Sequence, residues 1–174
     1  MNISTHQAAV GAAVVHANAV NLLQAARSLK IQGLHGHATA LAILSAEESS
    51  KALVLLGHVN EGQHPTVLRD VFVKHAIKLS VAQLNAEQML DLVGKTGLFP
   101  ELATGTSVAS TIASWLQKWS SSSNALKQAG FYVSFSAGDW QSPQEISPED
   151  STASFLVAAL GLLAVGSQLP KLTS

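Results

Sequence analysis

The chain has no cysteine among its 174 residues. That excludes disulfides, thiol catalysis and zinc sites built on thiolates, and it leans mildly towards a cytoplasmic location. Charge is scarce too: Asp, Glu, Lys and Arg make up 12% of the residues and nearly cancel, for a formal net charge of -1. Nothing in the chain as a whole marks it as a nucleic-acid or membrane binder, since those surfaces call for an excess of positive charge. Arg69, Lys74 and Lys78 nevertheless fall within ten residues, so one locally basic site remains open. Long apolar runs are also lacking. The longest, Phe155 to Gly166, is twelve residues, short of the roughly 18 that mark a membrane span, and a buried core helix is expected there. The start has no basic segment ahead of its apolar part, so no signal peptide is expected.

Hydrophobic residues are plentiful, at 47%, and the length suits one domain, 1–174, with a substantial core. The apolar spacing is helical almost throughout. A first helix is expected from a cap at Ser4 or Thr5 to about Lys30, with Val15, Ala19, Leu22, Ala26 and Leu29 on one face. A Gly-rich break containing His35 and His37 precedes a second helix, from about Ala38 to Gly57. Two histidines in a turn attract attention as metal ligands, but no carboxylates accompany them. The loop that follows holds Glu61 and His64 at the spacing used by di-iron bundles, in one copy where such sites need two.

Pro65 and Thr66 open a third helix expected to run unbroken to about Val93. Residues 94–105 read as a linker, because their Gly-Lys-Thr lacks the glycine spacing of a phosphate loop. A fourth helix, Ser107 to Trp119, carries Ile112, Trp115, Leu116 and Trp119 as its heavy face. The serine run 120–123 is expected to end it. Phe131 to Phe135 is the one extended segment, and a lone strand must pair across a dimer axis or pack as an arm. The last helix has Ser147 as its cap and Pro148 at its first position, and stops near Gln168.

Two places put proton-handling groups into apolar helix patterns. Leu68, Phe72, His75, Leu79 and Ala82 follow at i+4, i+3, i+4 and i+3, so His75 stands on a core stripe with Lys78 one turn beyond. Upstream, Leu41, Leu44, Glu48, Lys51 and Leu55 form a similar seam, with Glu47 four residues from Lys51. Ion pairs that fix helix register would account for either one alone. Arg69 lies six residues before His75, about 120° around a straight helix. Along one regular helix the two cannot meet; a second copy of the chain could supply the partner.

The segments ATALAILSAEESSKALVLL, VFVKHAIKL and ALKQAGFYVSFSAGDWQSPQEISPED together resemble the AbiV-type abortive infection proteins, an all-helical HEPN-like family. The matching residues are Glu47, Glu48 and Lys51, then His75 and Lys78, then Tyr132 with Pro143 and Ile146. The likeness covers roughly residues 15–160. Ser49-Ser50 stands where Leu-Gly is more usual. The wider HEPN group often carries Arg and His separated by four to six residues in a motif that cuts RNA without a metal. Arg69 to His75 fits that spacing, with Asp70 as the polar residue after the Arg.

The resemblance implies an all-α, compact bundle of about five helices with a short extended arm near 131–135, and a homodimer with facing motif helices. It implies catalytic roles for Arg69, His75 and Lys78, support from Glu47, Glu48, Lys51, Asp70 and Tyr132, and no metal or other cofactor. His75 would take the ribose 2′-hydroxyl proton while Arg69 and Lys78 bond the phosphate. The expected function is anti-phage abortive infection through a metal-independent RNase or RNA-directed toxin, with RNA as substrate and a phage-encoded protein as trigger, in the cytoplasm and without a membrane. The alternative is a binding protein that blocks translation or senses a phage protein without cutting.

Overall fold

The computed structural model describes residues 2–61, 65–96, 105–136 and 138–169. His64 and most of the expected linker, 97–104, lie outside them. Six α-helices lie within these residues: α1 (Thr5–Ile31), α2 (His35–Glu61), α3 (Pro65–Val73), α4 (His75–Lys95), α5 (Ser107–Phe131) and α6 (Pro148–Gln168). The architecture is the all-α bundle expected, with α2 as its central post: α1, α4, α5 and α6 all pack against it.

Small residues let the helices approach closely. The face of α1 on α2 runs through Ala8, Ala12, Ala19 and Ala26, all buried, and the Ser45 hydroxyl donates across the contact to the Ala19 carbonyl at 2.8 Å. Gly130 of α5 abuts the Gly36 carbonyl so closely that a Cβ there would lie 2.4 Å from that oxygen. Capping sets the ends of α1 and α6 where the sequence places them. Ser4 accepts from the Gln7 N–H, and Ser147 from that of Asp150. By length and composition, Thr5–Ile31 and Asp150–Gln168 could cross a membrane; here both pack on α2.

Three expectations are corrected. The long third helix is two helices, because Lys74 adopts an extended conformation (φ -104°, ψ 112°) while its N–H closes α3 on the Asp70 carbonyl at 2.8 Å. The break lets the two parts serve different cores. Leu68 of α3 packs with Ala52, Leu55 and Leu56, and α4 sends Leu79, Ala82, Ala86 and Leu90 against Ile43, Leu116, Trp119 and Val157.

The serine run does not end the fourth helix. Ser121, Ser122 and Ser123 donate their hydroxyls to carbonyls of Lys118 and Trp119 in the preceding turn, so they satisfy themselves inside the helix. Helix α5 continues to Phe131 with Leu116, Trp119, Ser123, Lys127 and Gly130 as its buried face. Trp115 stands outside that face, 39% exposed.

The extended segment begins later than expected, since Phe131 still belongs to α5, and it finds its partner locally. β1 (Ser134–Ser136) pairs antiparallel with β2 (Asp139–Gln141), turning at Gly138 with φ 88°, and Phe135 meets Trp140 across the hairpin at 5.2 Å between ring centroids. A 3-10 turn, Pro143–Glu145, then returns the chain to α2.

Candidate functional site

Glu47 lies midway along α2 with its side chain 3% exposed, and three cations or potential cations converge on it. The expected seam put Glu48 on the core-facing line. In the folded helix that line instead runs through Ala40, Ile43, Glu47 and Ser50, all buried, because α2 is surrounded and its smallest residues face the closest neighbours. Glu48 pairs with Lys51 at 2.5 Å, each 16% exposed, and the Lys51 ammonium sits 5.7 Å from the centre of the Phe72 ring.

The break at Lys74 makes His75 the first residue of α4. Its Nδ1 lies 3.2 and 3.1 Å from the Glu47 carboxylate oxygens Oε1 and Oε2, while 55% of its side chain is exposed. The imidazole therefore stands on the rim of the core, joined to a buried carboxylate, rather than within the core stripe. Lys78, one turn further on, is buried and aims its ammonium at Glu47 Oε2, 3.3 Å away. Buried there, the ammonium faces the carboxylate rather than the open surface. The backbone there is fixed by Ser50, whose hydroxyl donates to the Lys78 carbonyl at 2.8 Å.

The fourth member is Lys127 of α5, buried, which donates to Glu47 Oε1 and whose Nζ is 3.2 Å from His75 Nδ1. Sequence reading missed it. The signal was present, since Lys127 continues the Leu116, Trp119, Ser123 line at helical spacing, but only for a helix carried through the serine run.

Burial works to raise the Glu47 carboxyl. The hydrogen bond from Lys127, with the charges of Lys127, Lys78 and His75, outweighs it and holds the group below the usual carboxylate range. An ionised carboxylate behind an imidazole accepts the proton of its inner nitrogen and fixes the ring, leaving the outer nitrogen available for proton transfer. The hydrogen-bond contacts of the His75 ring with Glu47 and Lys127 all fall on Nδ1.

Arg69 is not part of this cluster. Its guanidinium is 61% exposed on α3 and lies 3.4 Å from Asp70 Oδ1, and Asp70 also binds Lys74 at 2.7 Å. The hydrogen bond from Lys74 outweighs the opposing effect of burial and, with the charge of Lys74 and the contact to Arg69, keeps the Asp70 carboxyl low. Tyr132 caps α5 with its side chain exposed, edge-on to Phe131 at 6.2 Å, and is not brought to Glu47. Among the described residues no three His, Asp or Glu side chains converge as a metal site would need.

No curated protein and no solved structure matches the chain. A family model for AbiV, of the HEPN type, matches residues 7–163, and with agreement over nearly its whole length the chain belongs to the AbiV family of abortive-infection HEPN proteins.

Proposed function

We propose that this protein acts in anti-phage abortive infection as a metal-independent endoribonuclease in the cytoplasm, with His75 as its proton-transfer group. The observation that carries the reading is the placement of His75: an exposed imidazole whose inner nitrogen meets a buried, ionised carboxylate. In the proposed reaction Nε2 takes the proton of a ribose 2′-hydroxyl. The freed oxygen bonds the adjacent phosphorus, the bond to the 5′-oxygen breaks, and that oxygen leaves, taking a proton from water. RNA supplies the nucleophile and water the second proton, so the protein needs only a base and a cation for the phosphate.

Arg69 is the cation proposed for the phosphate. Within one chain it pairs with Asp70 and not with His75, so joint action requires a homodimer in which one copy's Arg69 faces the other's His75. Since α2 is enclosed by α1, α4, α5 and α6, such a face would fall on α3 and the start of α4, where Val67, Val73 and Ile77 are exposed. The deciding experiment is RNA cleavage in the presence of a chelator by wild type and His75→Ala. Cleavage by the first and not the second supports the reading. Intact RNA with both, while cells expressing either resist phage, favours a non-cutting protein that blocks translation or senses a phage product. The separation of Arg69 from His75 within the chain is what keeps that second reading in view.

A further inference from the structure

We propose that Lys127 of α5 is a positioning residue for His75, acting through Glu47; this rests on the reading of His75 as the proton-transfer group. A glutamate side chain turns about several bonds, and one partner would leave its carboxylate free to rotate. Here two ammonium groups from different helices hold it. Lys127 from α5 takes Oε1 and Lys78 from α4 takes Oε2, so the carboxylate is pinned at both oxygens. Held so, both oxygens come within 3.2 Å of His75 Nδ1.

The second contact of Lys127 makes its role specific. Its Nζ lies 3.2 Å from the same Nδ1, so Nδ1 has both an acceptor, Glu47, and a donor, Lys127, within reach. Bonding to the carboxylate puts the neutral ring's proton on Nδ1 and leaves Nε2 an acceptor at the exposed edge, as a base requires. Bonding to the ammonium would put the proton on Nε2 and present a donor there instead. Glu47 reaches Nδ1 through both of its oxygens, and Lys127 through one atom that is also bonded to Oε1. The carboxylate therefore takes the Nδ1 proton and leaves Nε2 unprotonated, and Lys127 serves the ring by holding that carboxylate in place.

The test is nitrogen NMR of histidine-labelled protein above the titration range of the ring, with His75→Ala to assign the signal, alongside steady-state RNA cleavage. In wild type the His75 proton is expected on Nδ1. In Lys127→Met the competing donor at Nδ1 is gone, so the proton should stay on Nδ1; the carboxylate, held by Lys78 alone, should grip it less, and the Nδ1 proton should exchange with water faster than in wild type. Cleavage should then lose kcat by about 10²-fold, the lower part of the range for a positioned acid or base, with KM little changed. Lys127→Arg, which keeps the charge and the donors, should retain the wild-type exchange and kcat. Lys127→Gln, read in the same way, serves if Lys127→Met does not fold. A wild-type proton found on Nε2 overturns the proposal, and so does a folded variant without the Lys127 ammonium whose Nδ1 proton exchanges as slowly as in wild type. If exchange quickens as expected but wild type leaves RNA intact, the nuclease reading fails and the positioning role stands.

Discussion

Glu47 and Lys127 are 80 positions apart in the chain, and the hydrogen bond between their side chains ties α2 to α5 inside the bundle. A buried pair of this kind contributes less to stability than its Coulomb attraction suggests, because both charges give up their water. Removing one partner is another matter. In Glu47→Gln the ammonium groups of Lys78 and Lys127 remain buried without a counter-charge, and a loss of about 3–5 kcal/mol is expected. Denaturant unfolding measures it. A loss below about 1 kcal/mol, as for an exposed pair, would show that water reaches the cluster.

The same carboxylate gives the fold an acid-sensitive element. Its folded pKa is depressed by its cationic partners, so the folded protein binds that proton more weakly than the unfolded chain does. The stabilisation is complete above the unfolded value of about 4.3. It is lost as pH falls from there through the lower folded value, where acid favours the unfolded chain. Melting temperature followed downward from pH 6 should therefore stay level at first and then drop below about pH 4.3. In Glu47→Gln, which cannot titrate, the drop should be shallower. Equal slopes in both proteins would place the acid sensitivity elsewhere.

What could be read from the sequence and what could not divide along a physical line. Helix starts are local, and Ser4 and Ser147 act as caps where the pattern puts them. The break at Lys74 is not local. Neither glycine nor proline stands near it, and two cores that α3 and α4 fill from different sides require it. The serine run is the converse case. Its propensity argues for a stop, yet hydroxyls bonded back to the helix and a buried face from Leu116 to Gly130 carry α5 through. For the site, His75 with Lys78 one turn beyond, and Glu48 and Lys51 with Glu47 beside them, were visible as proton-handling groups in apolar patterns. Which of Glu47 and Glu48 faces inward was not, because a surrounded helix has no solvent face from which to take the phase.

Lys51 tests that phase. Had Glu48 and Lys51 occupied a core seam, Lys51→Ala would cost roughly 3 kcal/mol by stranding a carboxylate. They are instead a half-buried pair beside Phe72, where water still reaches the carboxylate left behind. A loss of about 1–2 kcal/mol is expected, between the exposed and buried limits, and the His75 tautomer should not change. A cost as large as that of Glu47→Gln would mean that the Glu48 pair is sealed from solvent after all.

The nuclease reading stands or falls on Arg69 and His75 acting as one unit. Both side chains are more than half exposed. Arg69→Ala should shift stability by no more than about 0.5 kcal/mol, and His75→Ala, which takes one hydrogen bond from Glu47, by about 1 kcal/mol, so lost activity cannot then be put down to unfolding. If one copy's Arg69 serves the other's His75, each single change should abolish cleavage, and the double change should be no worse, because groups that act together are not additive. A composite site also predicts complementation. Mixing inactive Arg69→Ala with inactive His75→Ala should regain activity, since a mixed dimer holds one intact site, made of the Arg69 of the His75→Ala chain and the His75 of the Arg69→Ala chain. Sedimentation at the same concentrations should show a dimer. If the mixture stays inactive although the subunits exchange, Arg69 and His75 do not meet across the dimer, and the exposed Arg69 belongs to a binding surface.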